Sequence, residues 1–160
     1  FSDFWWPLIL TTAFTILLLY ARLFRPYTFR GVGGSGRPQA LAEIHFPATG
    51  IVLIGVGWGI LKEPWLAIVP LCWMGGGDAI TGLIRSRVYG KEVKGNWGSL
   101  GMLITCLILA YFICPYWLGA IGAVTAVIAE RFTKTTKWVD DNLTIPLASA
   151  VVMGVLYVLF

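Results

Sequence analysis

An all-α, polytopic integral membrane protein with about six transmembrane helices is the fold class this sequence predicts. Hydrophobic residues make up 58% of the chain and charged residues only 12%, well away from the shares of a soluble domain. The apolar residues gather in six segments, 4–21, 44–61, 64–84, 97–113, 116–132 and 143–160, each 17 to 21 residues long. At ~1.5 Å rise per residue these lengths approach the ~30 Å of a bilayer's hydrocarbon. Segments of this length and composition should be helices, because unpaired backbone N–H and C=O groups cannot face lipid.

The third observation is where the cations fall. Of the 12 Lys and Arg residues, all but Lys62 lie in three stretches, 22–37, 85–94 and 131–137. Two apolar segments separate each basic stretch from the next, so six spans put all three on one membrane face, which the positive-inside tendency assigns to the cytoplasm. Reading residues 97–132 as one span instead would carry the third stretch to the other side, against that tendency. The links between paired spans are the near-neutral Lys62-Glu63 and Cys114-Pro115. Trp5, Trp6, Trp65, Tyr116 and Trp117 stand near span ends, where aromatic belts anchor helices. The length suits a single membrane-embedded domain over residues 1–160. The chain opens on Phe1 rather than Met, which leaves room for an earlier segment, even another span.

The formal net charge of +4 does not point to nucleic acid, since the few cations border apolar spans. Lipid headgroups of the bilayer or a nucleotide suit them better, and homo-oligomerisation is left open. Cys72, Cys106 and Cys114 form no CxxC pair and read as packing residues. Residues 31–36, Gly-Val-Gly-Gly-Ser-Gly, read as a flexible loop, for they follow no strand and lack the Lys-Ser/Thr of a P-loop.

Four of the eight carboxylates, Asp78, Glu130, Asp140 and Asp141, lie at the same ends of spans as the cations. Acids there are costly unless paired or bound to a cation, which marks a functional site. Asp78 follows Gly75-Gly76-Gly77, three residues without side-chain bulk. On a helix it shares a face with Gly82 and Arg85. Its plainer reading is an intramembrane ion pair with a neighbouring Arg. Lys94, Gly95, Asn96, Gly98 and Ser99 combine a cation, backbone N–H groups and polar side chains ahead of a helix start, the parts of an anion site; a basic loop on lipid phosphates is the plainer alternative. Asp140, Asp141 and Asn142 offer hard oxygen ligands of the kind Mg²⁺ takes, although one of them is expected to cap the following helix.

Gly77-Asp78-Ala79 with its basic sequel, Lys94-Gly95-Asn96-Trp97-Gly98-Ser99, Glu130, and Asp140-Asp141-Asn142-Leu143-Thr144-Ile145-Pro146-Leu147 together resemble the CTP-dependent lipid-alcohol kinases: dolichol kinase, phytol and farnesol kinases and the yeast-type diacylglycerol kinase, which are related to phosphatidate cytidylyltransferases. The likeness runs from Gly75 to Leu147 in unbroken order. It implies a polytopic helical fold and CTP as phosphoryl donor. His45 stands where members carry a His at the start of an early span, preceded here by Ala42-Glu43-Ile44 where they have an Arg-Lys pair; its plainer role is structural.

Phosphoryl transfer asks for charge neutralisation and positioning. Asp140, Asp141, Asn142 and Asp78 are the candidate Mg²⁺ ligands. Arg85, Arg87, Lys91, Lys94 and the 95–99 backbone are the candidates for the CTP phosphates, Asp78 and Glu130 are the candidate catalytic acids, and Asp78 is the base for the acceptor hydroxyl. Lys134, four residues after Glu130, is expected to pair with it or to join the nucleotide site. The acceptor is a lipid alcohol, a prenol or diacylglycerol, whose tail stays in the bilayer. A CTP-using cytidylyltransferase would need nearly the same residues, but the Pro-Gly-His-Gly-Gly run that such enzymes share is absent. A transporter using Asp78 as an ion site predicts further charges deep in other spans, and a scaffold gives no reason for Asp140-Asp141-Asn142.

Overall fold

A computed structural model describes residues 3–24, 41–90, 94–134, 136 and 138–160. Lys91, the 31–36 loop and most of the first basic stretch lie outside the described residues. All regular structure among the described residues is helical.

The described residues form six rods. The first is α1 (Trp5–Phe24), in which Thr11, Thr12 and Thr15 return their hydroxyls to the carbonyls of Pro7, Leu8 and Thr11, each at 2.7 Å; a polar residue satisfied in this way costs little in lipid. The second is α2 (Ala42–Leu53), continuing as the π-helical segment Ile54–Ile60. The third is α3 (Trp65–Cys72), the π-helical segment Trp73–Gly77 and α4 (Asp78–Val88). Then follow α5 (Asn96–Ile113), α6 (Tyr116–Phe132) and α7 (Asp141–Leu159). Both π-helical segments are rich in Gly and Trp. Glycine has weak preference for the α-helix, and π turns often accompany functional sites; the second ends where Asp78 begins.

Among the described residues, five helices are long and apolar enough to cross a membrane. The sixth segment expected to span, α6, has 17 residues, or about 26 Å at the helical rise. It nonetheless runs beside α5 and α7 and joins the two ends of the bundle, with Gly119 against Ala110 and Cys114 at one end and Glu130 against Arg85 at the other. Arg22 with Glu43, His45 with Asp140, and Lys94 with Asp141 meet at one face. Glu63 with Tyr157 (2.6 Å) and Trp65 (2.7 Å) marks the opposite face. The helices thus alternate in direction, with the ends of α1, α4 and α6 and the starts of α2, α5 and α7 together.

Trp73 is fully buried at the centre with Met102, Cys106, Ala110, Ala123, Ala126, Ile145 and Met153, and its indole N–H donates to the Cys106 carbonyl at 2.9 Å. Small residues on α6 let α5, α7 and the Trp73 ring approach closely, the packing that replaces the hydrophobic effect in lipid. Leu23, Phe112 and Phe132 point outward, as suits a lipid-facing surface. The three cysteines are free.

Candidate functional site

Three helices each deliver one carboxylate to the same place. Asp78 opens α4, Glu130 lies in the last turn of α6, and Asp141 opens α7. One oxygen from each lies within 4.8 Å of those from the other two. Glu130 is completely buried, and burial of an acid demands compensation. Arg85, two turns beyond Asp78, supplies it through an ion pair between its Nη2 and Glu130 Oε1. The other carboxylate oxygen, Oε2, is buried without a hydrogen-bond partner among the described residues, as are Arg85 Nε and Ser99 Oγ.

Lys94 ties the cluster together. Its ammonium lies 3.2 Å from Asp141 Oδ1 and 3.8 Å from Glu130 Oε1. It donates to the carbonyls of Thr133, at 2.9 Å, and Glu130. Those carbonyls belong to the end of α6, where a helix has unpaired acceptors and a partial negative charge, so Lys94 closes that terminus as well as neutralising acids. The start of α5 presses on α4 beside it: a Cβ on Gly98 would sit 3.0 Å from Thr81 Cγ2 and 3.4 Å from Arg85 Cγ. A side chain here would push Thr81 or Arg85 aside by a few tenths of an ångström.

The two adjacent aspartates part company. Asp140 is the N-cap of α7, its Oδ1 accepting the Leu143 N–H at 3.1 Å. Its Oδ2 lies 3.0 Å from His45 Nδ1, close enough for an ion pair but not aligned as a hydrogen bond. Asp140 therefore faces α2, and Asp141 faces Glu130 and Lys94. Asn142 follows in the first turn of α7, half-buried.

The structure therefore draws Asp78, Glu130, Asp141, Arg85 and Lys94 into one cluster and sets Gly98 and Ser99 against its edge. Gly95 is the extended residue that caps α5. Asn96 is engaged elsewhere, its Oδ1 accepting from Arg131 at 2.8 Å. Arg87 and Lys134 are exposed. The expected helical pairing of Lys134 with Glu130 is corrected: α6 stops at Phe132 and Thr133 turns extended, so the four-residue spacing no longer shares a helix face, and Glu130 pairs with Arg85 and Lys94 instead. The plainer reading of Asp78 also fails, for Arg85 pairs with Glu130 and Asp78 has no ion pair among the described residues. The sequence reading missed Thr49 and Thr81, two buried threonines of α2 and α4; in Thr49 the one available signal was its place one helical turn after His45.

Chemically, the cluster sets the acids Asp78, Glu130 and Asp141 against the cations Arg85 and Lys94, so by formal charge negative charge is left over at a site of hard oxygen donors. Fold and site together define a polytopic helical membrane protein with an oxygen-rich, charge-unbalanced centre near one membrane face. Several known proteins are similar to the chain. The chain is 28% identical to a probable phytol kinase of Zea mays over 167 aligned residues, covering 88% of the chain and 53% of that protein. It is 29% identical to probable phytol kinase 1 of Oryza sativa subsp. japonica over 154 residues, 82% and 46% of the two chains, and 29% to probable phytol kinase 2 of Glycine max over 116 residues, 60% and 39%. These homologies support the lipid-alcohol kinase family that the motifs resemble. The chain spans about half the length of the relatives it matches. No family model and no solved structure matches it.

Proposed function

We propose that this chain carries the catalytic site of a CTP-dependent lipid-alcohol kinase, phosphorylating a prenol-type or diacylglycerol hydroxyl at the cytoplasmic face of a membrane. The observation that carries this reading is the convergence of Asp78, Glu130 and Asp141 from three helices, within 4.8 Å of one another, beside two cations. Naming phytol kinases among the relatives supports the same reaction class; CTP as the donor rests on the motif resemblance.

The residues fit Mg²⁺. Three carboxylates supply hard oxygens of the kind this ion prefers, and the partnerless, buried Glu130 Oε2 has the unfilled lone pairs that a cation would satisfy. Asp78, Glu130 and Asp141 would hold the ion, which when bound would neutralise charge on the nucleotide's phosphate oxygens. Asp140 caps α7 and so supports Asp141.

In the reaction the acceptor hydroxyl oxygen attacks the γ-phosphorus of CTP. A new phosphate ester bond forms, the bond from the γ-phosphorus to the β,γ-bridging oxygen breaks, and CDP leaves with that electron pair. The hydroxyl proton passes to a carboxylate, for which Asp78, with no ion pair among the described residues, is best placed. Arg85 and Lys94 hold the acids in register and present positive charge toward the phosphates, and the Ser99 hydroxyl with the N–H groups of the first turn of α5 offers further donors. The spans keep the alcohol's tail in lipid while its head meets the site, so positioning supplies much of the rate.

The test is transfer of γ-labelled phosphate from CTP to an organic-extractable lipid by the purified chain with Mg²⁺, across a panel of prenols and diacylglycerol. Label in at least one lipid is expected, with CTP far better than ATP as donor; no label in any lipid overturns the proposal.

A further inference from the structure

We infer that His45, Thr49 and Asp140 form the seat for the acceptor's hydroxyl group, a subsite whose role rests on the kinase reading above. The first observation is a departure from a pattern. Thr11, Thr12, Thr15, Thr81, Thr105, Thr125 and Thr144 each donate the side-chain hydroxyl to the carbonyl four residues back, the usual way for a helical threonine to satisfy itself. Thr49 is 1% exposed, and its Oγ1 makes no hydrogen bond among the described residues. A buried hydroxyl left so loses the hydrogen bonds it had in water, a cost that calls for a missing partner.

The second observation is that two other buried atoms, one of them a helical turn before Thr49, share this condition. His45 precedes Thr49 by four residues and so lies on the same face of α2, and its Nδ1 sits 3.0 Å from Asp140 Oδ2 where α2 packs on α7. Neither atom has an aligned hydrogen-bond partner among the described residues. The set contains a carboxylate acceptor, a hydroxyl and an imidazole nitrogen. An anion would meet the Asp140 charge, and a cation would find one charged oxygen only. A neutral hydroxyl, which donates once and accepts twice, matches the set.

Position adds the rest. Asp140 is the peptide neighbour of Asp141, so a hydroxyl seated on it adjoins the carboxylate cluster. One turn past Thr49, Leu53 belongs to an apolar cluster with Ile54 and Ala67, against which Leu147 and Ala150 of α7 pack. A polar seat at the membrane face with an apolar column running from it along the same two helices fits a molecule with a hydroxyl head and a hydrocarbon tail. Water offers the same hydroxyl chemistry without the tail, and the experiment separates the two.

The full chain in detergent, without nucleotide, is titrated with a C20 prenol and with the hydrocarbon analogue that lacks the hydroxyl. Wild type should prefer the alcohol, and Thr49→Val, which keeps shape and removes the hydroxyl, should cut that preference by about 2- to 10-fold, the worth of one hydrogen bond; Thr49→Ser should keep it. Should Thr49→Val fail to fold, His45→Gln reads the same ratio and should lower it. Equal binding of alcohol and hydrocarbon by wild type, or an unchanged ratio in the variants, overturns the seat; an unchanged ratio with an altered ligand-free melting temperature identifies structural water there instead. Since no CTP is present, a lost seat with prenol phosphorylation intact leaves the kinase reading standing, and an intact seat without label transfer sinks the kinase reading alone.

Discussion

Replacing Glu130 by Gln keeps the shape of a completely buried side chain and removes its charge. Arg85, whose side chain is 13% exposed, then loses its only ion-pair partner among the described residues. Lys94 keeps Asp141 at 3.2 Å, so a single cation is stranded rather than two. Removing one member of a buried pair costs about 3–5 kcal/mol, mostly because the other charge stays desolvated. The lower end, about 3 kcal/mol, is expected for Glu130→Gln because Asp78 and Asp141 remain close by. Adding Arg85→Met should restore most of that stability, since exchanging a whole buried pair for apolar or neutral groups is often near neutral. Activity should not return, because the cluster still lacks a carboxylate. Reversible unfolding in mixed micelles and γ-phosphate transfer, on the same preparations, check both halves. A single-variant cost under about 1 kcal/mol, or a double variant weaker than the single, would refute the buried pairing from which the site is built.

Asp140 and Asp141 should respond differently to Asn. Asp140→Asn should lose little stability, since Asn caps about as well as Asp, whereas Asp141→Asn should lower turnover at limiting Mg²⁺ by orders of magnitude with the fold intact; equal effects on activity would dissolve the distinction. Lys94→Ala should raise the KM for CTP and, through the opened end of α6, lower the melting temperature, while membrane insertion is unchanged; normal kinetics would reduce Lys94 to a helix-closing residue. Gly98→Ala should weaken the α4–α5 contact, where the new Cβ would lie 3.0 Å from Thr81, and reduce activity more than stability by displacing Arg85; unaltered kinetics would mean that this approach does not set the site.

The helices and their alternation were legible because apolar length and cation placement are local, additive signals. The shortfall of α6 reflects how the same signal weakens when a span ends in Glu130-Arg131. The π-helical segments were not legible, since they depend on which carbonyl each N–H selects rather than on apolar pattern. Asp78, Glu130 and Asp141 were all singled out in the sequence, yet nothing local separates Asp140 from Asp141: neighbours at a helix start point about 100° apart, and only the capping bond to Leu143 shows which one turns away. Lys94 read as a phosphate ligand because the end of α6, which it closes, lies 36 residues further along the chain. Thr49 carried no motif; its interest arises from a hydrogen bond that every comparable threonine makes and it does not.

The claim that this site transfers a phosphoryl group to a lipid alcohol is tested most directly by comparing α-labelled and γ-labelled CTP in parallel reactions with one prenol and with its monophosphate, the acceptor a cytidylyl transferase needs, using wild type and Asp141→Asn. Label in the lipid from γ-labelled CTP alone, with that signal lost in Asp141→Asn, is the expected result. Label in the lipid from α-labelled CTP would make the chain a cytidylyl transferase, and γ-transfer undiminished in Asp141→Asn would remove the carboxylate cluster from the chemistry.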